Sequence, residues 1–519
     1  MFDWIAALIK RTKGRCEKGI RPGRFLRPLV ILCQTWTGVY RLVILLMITW
    51  IPMLLTACTM GPDYVKPTVT IPETYKEMDG WKVAQPKDEI IRGPWWEVFN
   101  DPQLNELEGQ VDITNQNIAI AEAQFRQASA LVLAARAAYF PLATAGASAN
   151  RAGGSSNLGR EGLATPTNVT TTYLLAGNVS WEADIWGRIR RTVESSRASA
   201  QASAADFESV RLSVKAALAE NYFLLRTLDR QKQLFDATVE AYRRSLELTT
   251  NQYSNGVVSR ADVLQAETQL KSTQAQAIDV GVLRAQYEHA IAVLVGKPPS
   301  QFSLSPAPLH AVPPATPASI PSELLERRPD IAAAERRMAA ANAQIGVAKA
   351  AYFPTVILSA SGGYESIDVS NWLTWPSRFW AVGPAISQIL FDGGLRRAMT
   401  DQARSAYDAA VASYRQTVLI GFKEVEDNAA ALRILEEESR AQDEAVNAAR
   451  KSLEFSLNQY KQGTVSYLNV IAAQAAALNS ERAAVSILGR RMAASVLLVK
   501  ALGGGWERNG EEEVFQSHR

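Results

Sequence analysis

The sequence predicts a mainly α-helical protein with a small β part, assembled from two copies of one structural unit. Three observations predict this class: an internal duplication, two very long helical stretches without proline, and four short stretches in which apolar and polar residues alternate. A duplication with fixed spacing indicates a repeat architecture before it indicates any chemistry. We therefore expect each half of the chain to contribute the same elements in the same order.

The duplication is clearest at two short segments that interrupt long helical patterns. Residues 251–259 (NQYSNGVVS) reappear as residues 458–466 (NQYKQGTVS), which lie 207 positions later. Upstream, residues 137–141 (AAYFP) reappear as residues 350–354 after a step of 213 positions. The step falls from 213 before Pro141 to 207 after Arg190. The first copy therefore has six additional residues between these two positions, in its β part.

Each interrupting segment is predicted to be the tip of a helical hairpin. Gly256 and Gly463 stand where a helix must stop, and glycine adopts the left-handed conformation that ends a helix at little cost. Ser259 and Ser466 follow in position to cap the returning helices. The sequence therefore predicts two hairpins with tight polar tips.

The stretches that lead into these tips predict unusually long helices. A helix over residues 187–253 would extend about 100 Å at 1.5 Å per residue. Apolar and small residues continue at alternating steps of three and four up to Tyr253 and Tyr460, which is the spacing of a coiled coil. A further helix is expected from about residue 104 to residue 138.

Four stretches with a period of two predict two pairs of β-strands. Residues 173–184 place apolar side chains on one face and polar ones on the other, and residues 142–150 are a weaker partner. In the second copy the corresponding strands are residues 356–364 and 379–390. Pro384 disfavours the last of these, since proline is uncommon inside paired strands.

These patterns divide the chain into six segments. They are a leader (1–57), an extended N-terminal segment (58–103), the first repeat (104–300), a proline-rich connector (301–322), the second repeat (323–505) and a C-terminal tail (506–519).

The N-terminus carries an export signal and a candidate lipid attachment site. Residues 42–57 are apolar and end in Leu-Thr-Ala before Cys58, which suits a signal-peptide core followed by a lipidated cysteine. A leader of 57 residues is long, so translation from Val39 is a second interpretation and an uncleaved membrane anchor a third.

The net charge of the chain is unevenly distributed. Residues 1–57 hold nine Lys or Arg and two acidic residues, which gives this segment a net charge of +7. Since the whole chain has a net charge of +3, the remainder has a net charge of −4. An acidic mature chain disfavours nucleic acid as a partner.

Catalysis and metal binding are not expected. The three cysteines all lie within the first 58 residues, and the three histidines, His289, His310 and His518, stand in unrelated parts of the chain. No histidine pair for acid–base work or for a metal is present. No cofactor is expected beyond a covalent lipid on Cys58. A structural coiled-coil lipoprotein of the envelope is the more serious alternative, but it would have no use for the paired strands.

Four strands are too few to cross a membrane alone. A sheet in lipid must close, because an open edge leaves backbone groups unpaired, and single-chain barrels begin at eight strands. The chain must either pair its sheet with copies of itself or keep a small sheet in water. The signal core and the lipid site favour the membrane and the oligomer.

Several motifs in a fixed order give the chain a resemblance to a known family. They are Cys58 followed by Gly-Pro-Asp-Tyr, the Trp95-Trp96 and Phe99-x-Asp101-Pro102 pair, Ser180-Trp181-Glu182-x-Asp184-x-x-Gly187-Arg188, Arg327-Arg328-Pro329-Asp330-Ile331, and Phe391-Asp392-Gly393-Gly394. With the duplication, they resemble the TolC-like outer-membrane efflux factors in their lipoprotein branch, over essentially all of residues 58–519.

The resemblance implies a fold, an assembly and partners. It implies a homotrimer with a twelve-stranded barrel in the outer membrane, four strands from each chain, and an α-barrel of long helices across the periplasm. The expected function is a duct for small molecules, with a periplasmic adaptor protein and an inner-membrane efflux transporter as partners. A duct for a type I secretion system is the alternative within this resemblance.

The resemblance also implies two sets of site residues. The tips Gly256, Val257, Ser259, Gly463, Thr464 and Ser466 would contact the adaptor, and the aperture would be narrowed by Asp262, Asn469, Tyr253 and Tyr460. Asp262 matches the acidic position of the family pattern, whereas Asn469 departs from it, so an acidic ring is in question. An alternative role for Asp262 is structural: its carboxylate would interact favourably with the dipole of the returning helix. Both tyrosines are expected to pack in the heptad pattern rather than to act as a gate.

Overall fold

The computed structural model describes residues 59–68, 94–153, 169–309, 311–314 and 328–504. The leader, Cys58, His310, His518, the C-terminal tail and most of the loop between the first two strands lie outside these ranges. The helices are α1 (Pro102–Thr114), α2 (Gln116–Ala137), α3 (Arg188–Ser254), α4 (Arg260–Leu294), α5 (Pro329–Ala350), α6 (Leu395–Lys461) and α7 (Tyr467–Ala501). The strands are β1 (Leu142–Ala152), β2 (Thr170–Glu182), β3 (Thr355–Ser366) and β4 (Arg378–Ser387).

The boundaries of the helices repeat with the steps read from the sequence. Helices α3 and α6 each contain 67 residues, and α4 and α7 each contain 35. The start of α6 lies 207 positions after the start of α3, and the start of α5 lies 213 positions after that of α2. The predicted duplication and the two long hairpins are therefore confirmed.

The four strands form one antiparallel sheet in the order β1-β2-β3-β4. Val179 of β2 lies opposite Ala360 of β3, and Leu358 lies opposite Trp181. This register brings the predicted apolar positions of both copies onto one face, which we call the apolar face. Its side chains are partly or fully exposed in the single chain, and Val382 and Ile386 of β4 are among the most open, at 73% and 72%.

Strand β4 contains Pro384 opposite Leu358 and ends at Ser387, three residues before the predicted boundary. Because β4 is the last strand of the sheet, one of its edges does not pair with another strand of this chain. A missing N–H is tolerated on such a strand. The strand prediction is thus confirmed despite the proline.

The single helix predicted over residues 104–138 is wrong, because two helices meet at Asn115. Asn115 has an extended backbone, and its side chain accepts hydrogen bonds from the N–H groups of Asn117 and Ile118. Its amide also donates to the carbonyl of Leu294 at 2.7 Å. The sequence pattern continues through this point, but the contact with the end of α4 makes Asn115 the cap of a new helix.

The main core lies where α1 and the short helix Trp95–Phe99 pack against α3, α4 and α7. Its buried members include Trp95, Phe99, Leu104, Val111, Phe223, Ile291, Met492 and Val496. A second core joins α5, α6 and the end of α7. No helix within the described ranges is long and apolar enough to cross a membrane.

Candidate functional site

The two hairpin tips have the same backbone geometry. Gly256 and Gly463 have φ values of +74° and +72°, which is the left-handed conformation predicted for both. In each tip the glycine N–H bonds to the tyrosine three residues earlier, at 2.9 Å and 3.0 Å. The following N–H groups, of Val257 and Thr464, bond five residues back. These paired bonds close a long helix at its C-terminal end.

The returning helices begin differently in the two tips. Ser259 and Asp262 form a reciprocal capping box: the serine side chain accepts from the Asp262 N–H, and the Asp262 carboxylate accepts from the Ser259 N–H at 3.0 Å. Ser466 occupies the equivalent position, but its side chain makes no capping hydrogen bond. The predicted serine cap is therefore confirmed in the first tip only. Asn469, in place of the aspartate, does not complete the box.

Just behind the tips, a buried cluster joins the two hairpins of one chain. Tyr460 and Tyr467 lie with ring centroids 5.2 Å apart. The Tyr460 hydroxyl donates to Thr249 Oγ1 at 3.4 Å, and the Tyr467 hydroxyl lies 3.1 Å from Ser245 Oγ. Since Ser245 and Thr249 belong to α3, these contacts hold the α6–α7 turn against the first hairpin. We call these four residues the aperture cluster.

The four residues predicted for the aperture are not equivalent. Tyr460 is 3% exposed, whereas Tyr253, its counterpart 207 positions earlier, is 44% exposed. Asp262 is half-buried and engaged in the capping box, while Asn469 is exposed. Within one chain, heptad packing thus describes Tyr460 and not Tyr253.

Tyr467 was not predicted from the sequence as part of this region, although the repeat shows a difference at its position. At the position 207 residues earlier the first copy has Arg260, so Tyr467 is a break in the repeat. Tyr467 is 1% exposed and shares one buried cluster with Tyr460. Burial raises the pKa of both tyrosines above the ordinary value.

A third feature is the segment that follows the candidate lipid site. Residues 60–68, which we call the N-terminal strap, lie against α3 and α5. Arg191, 4% exposed, donates to Asp63 Oδ1 at 2.8 Å, and Asn342 donates to the carbonyl of Pro62 at 3.0 Å. A Cβ on Gly61 would come within 2.5 Å of Gly346 Cα. The Gly-Pro-Asp-Tyr motif is therefore a docking segment.

The described part of the chain contains no group of three His, Cys, Asp or Glu side chains that could hold a metal ion. Its polar networks instead connect elements. Asp229, for example, accepts from Arg226 at 2.8 Å and Arg284 at 2.7 Å, and also from the backbone N–H of Ala307 in the connector.

Comparison with known proteins agrees with this geometry. The family model described as "Outer membrane efflux protein" matches residues 109–297 and 320–504. The solvent efflux pump outer membrane protein SrpC of Pseudomonas putida is 31% identical over 458 residues, covering 88% of this chain and 97% of that protein. The toluene efflux pump outer membrane protein TtgC, also of Pseudomonas putida, is 29% identical over 462 residues, covering 88% and 95%.

A solved structure gives the same result for the fold. The outer-membrane channel OprN superposes with a TM-score of 0.81 at 33% identity, covering 86% of this chain and all of that one. Sequence and fold thus agree over both repeats, and the resemblance read from the motifs is confirmed. The chain belongs to the outer membrane efflux protein family, and it is an outer-membrane channel protein of efflux that extends into the periplasm.

Proposed function

We propose that three copies of this chain form one duct, which exports small organic molecules with a periplasmic adaptor and an inner-membrane transporter. The observation that carries this proposal is the open sheet: β1 and β4 are its two outer strands, and its apolar face is exposed. In lipid such edges must be paired. Joining β4 of one copy to β1 of the next would give a closed barrel of twelve strands.

The substrate class follows from the relatives named above, whose names describe solvent and toluene efflux. The test is a deletion strain complemented with the wild-type gene. We expect a heat-sensitive trimer in outer-membrane extracts and a return of solvent tolerance and dye export. A monomer in those extracts would contradict the duct. Loss of a secreted protein with unchanged dye export would favour type I secretion instead, and loss of envelope integrity alone would favour a structural lipoprotein.

The hairpin tips are the proposed contact with the adaptor. Val257 is 64% exposed at the first tip, and a Cβ on Gly256 or Gly463 would meet nothing within 4 Å. The left-handed backbone alone therefore requires glycine there, and the exposed side chains are free to contact a partner. Val257→Glu with Thr464→Glu should abolish crosslinking to the adaptor while the trimer still inserts. Normal crosslinking by this double variant would exclude the tips as the contact.

Closure of the aperture is proposed to depend mainly on packing in the aperture cluster. Replacing buried Tyr460 by Ala should remove about 3 kcal/mol of packing and raise single-channel conductance in planar bilayers. Tyr253→Ala is the matched variant, and it should have a smaller effect because Tyr253 is exposed in the chain. Equal conductance of the Tyr460 variant and wild type would show that packing does not hold the aperture closed.

Asp262 and Asn469 are proposed to set the ion preference of the aperture. A trimer would place three carboxylates there, one for each copy of Asp262. Asp262→Asn should lower the preference for cations, and Asn469→Asp should raise it, with little change in the size of the opening. If the cation preference of the two variants does not shift in opposite directions, these residues do not set it. A wide opening in Asp262→Asn would show that charge, rather than packing, controls closure.

Cys58 is proposed to carry a lipid, and the N-terminal strap supports this, because residues 60–68 dock onto α3 and α5 directly after it. Labelled palmitate should be incorporated into the wild type and not into Cys58→Ser. Trimers should persist in that variant, since the hairpins and the sheet do not depend on the anchor. Persistent labelling of the variant would place the lipid elsewhere.

A further inference from the structure

The charged residues of the sheet are sorted by face. Within the four strands, only Arg151, Glu182, Glu365 and Arg378 are charged. Arg378 lies opposite Tyr364 and Arg151 opposite Thr171, positions that belong to the apolar face. Glu182 lies opposite Ile357 and Glu365 opposite Leu174, on the other face. The apolar face therefore carries two arginines and no carboxylate.

Both arginines lie at the end of the sheet remote from the helices. Strand β1 begins just after α2 ends, and Arg151 is its penultimate residue. Arg378 is the first residue of β4, after the loop that follows β3. In a channel whose helices extend into the periplasm, this end of the sheet faces the outer leaflet of the outer membrane.

Aromatic rings, two of them exposed, lie at this end of the sheet. The Arg378 guanidinium lies 3.5 Å from the ring centroid of Trp375, and Trp375 and Trp380 are 69% and 77% exposed. Tyr173 and Trp372 pack 5.8 Å apart in the same region. Tryptophan and tyrosine concentrate where a membrane protein meets the headgroup layer. The arginines are thus placed at headgroup depth.

Neither arginine has a carboxylate partner among the residues that the structure describes. Both side chains are exposed, and Asp368, the acidic residue of the nearby loop, accepts from the Ser370 N–H at 2.9 Å instead. An arginine on a lipid-facing surface is costly at the centre of the bilayer but is tolerated at headgroup depth, where its guanidinium can reach anionic groups. A guanidinium binds phosphate with two parallel hydrogen bonds, and stacking on Trp375 restricts its orientation.

We propose that Arg378 and Arg151 bind phosphate groups of phosphorylated glycolipids in the outer leaflet. Since β1 and β4 are the two edges of the sheet, each seam between copies in a trimer would carry both arginines. The surface therefore has one occupant, a lipid whose phosphates lie at headgroup depth while its acyl chains contact Val382 and the rest of the apolar face. This proposal rests on the proposed trimer, which brings the two arginines to one seam, and it does not depend on the exported substrate.

The test compares two lipids on the purified channel. The detergent-solubilised protein is incubated with a bis-phosphorylated glucosamine lipid A or with the same lipid after enzymatic dephosphorylation, and retained lipid is counted by native mass spectrometry. The wild type should retain the phosphorylated lipid in clear excess. Arg378→Gln with Arg151→Gln should lose retention by about fivefold for each arginine removed.

Two further variants separate charge recognition from loss of structure. Arg197→Gln with Arg415→Gln removes two exposed arginines from the long helices and should leave retention unchanged. Arg378→Lys keeps the charge but not the paired hydrogen bonds, so it should retain an intermediate amount. Equal retention of both lipids by the wild type, or undiminished retention by the sheet double variant, would overturn the proposal. A heat-sensitive trimer in each preparation confirms that the variants are assembled.

Discussion

At the scale of single residues, aspartates at the ends of elements decide where the helices begin. Asp101 accepts from two N–H groups of α1, at 3.0 Å and 3.1 Å, and from the Tyr222 hydroxyl at 2.7 Å. Asp184 accepts from the N–H groups of Ile189 and Arg190 in α3, at 2.9 Å and 2.8 Å. Asp392 accepts from the N–H of Gly394, just before α6, at 3.0 Å and from the N–H of Arg396 in α6 at 3.2 Å. Asp101 is the N-cap residue of α1, which contributes about 1 kcal/mol. Asp184 and Asp392 lie further upstream and bind N–H groups at the start of α3 and α6.

Glu108 of α1 is the least expected residue of the core. It is 0% exposed, and neither of its carboxylate oxygens has a hydrogen-bond partner in the described part of the chain. Lys215, whose charge attracts this carboxylate, instead bonds to Asp112 at 2.8 Å and lies over the Trp96 ring. Burial raises the pKa of Glu108 well above its ordinary value, against the attraction of Lys215. The buried side chain therefore keeps its proton to a higher pH than an exposed glutamate does.

The raised pKa predicts that the folded protein loses stability as pH rises. Below the ordinary pKa of 4.5 both folded and unfolded chains hold the proton. Above that pKa the folded chain still holds the proton and the unfolded chain does not. Each further pH unit therefore lowers the free energy of unfolding by up to about 1.4 kcal/mol, until the pKa of Glu108 in the folded chain is passed. Glu108→Gln should remove this dependence. The measurement is the dissociation temperature of the trimer across this pH range.

The control for this prediction lies on the same helix. Glu106 is exposed and makes one long hydrogen bond with Gln110, so Glu106→Gln should keep the wild-type pH profile. A Glu108→Gln profile that coincides with the wild type would show that Glu108 is ionised in the folded protein, and that Lys215 compensates for its burial.

At the scale of elements, the N-terminal strap depends on close approach to α5. A Cβ on Gly346 would come within 2.7 Å of the Met60 carbonyl and 2.8 Å of the Arg191 side chain. Gly346→Ala should therefore displace the strap, at a cost of about 1–3 kcal/mol, and weaken the contact of Arg191 with Asp63. Hydrogen exchange of the amides of residues 60–66 should become faster.

Gly281 of α4 provides the matched glycine. A Cβ there would meet nothing within 4 Å, so Gly281→Ala should leave exchange in the strap unchanged and favour its helix by about 0.5–1 kcal/mol. Unchanged exchange in Gly346→Ala would mean that the strap is held by Arg191 and Asn342 without the close backbone contact.

At the scale of the whole molecule, one face of the sheet must meet lipid and the other the lumen of the duct. Val382 and Ala381 are neighbours in the middle of β4, and both are exposed. Val382 lies opposite Ala360 on the apolar face, and Ala381 lies opposite Ser361 on the other. A single strand thus offers a lipid-facing position and a lumen-facing position at the same depth.

A lysine at these two positions should have very different effects. Val382→Lys should cost about 2–4 kcal/mol for each copy at the centre of the bilayer, and so reduce the amount of heat-sensitive trimer in the outer membrane. Ala381→Lys should assemble normally and change only conduction. Equal losses for both variants would contradict the assignment of the two faces.

The sequence by itself determined most of the fold. The constant steps of 207 and 213 positions set matching helix boundaries in both copies, because the lengths of helices follow from local periodicity and from glycine and capping residues. The alternation of apolar and polar residues identified all four strands, including β4 with its proline. These signals are local, so they can be read without knowledge of partners.

Only the tertiary structure decided what equivalent positions do. Tyr253 and Tyr460 stand at the same place in the repeat, yet only Tyr460 is buried, because Tyr467 and Thr249 lie beside it. Asn115 ends α1 because its amide reaches the end of α4, 179 residues away. Burial and capping of this kind depend on elements distant in sequence. Local periodicity carries no information about which of two similar surfaces another element will cover.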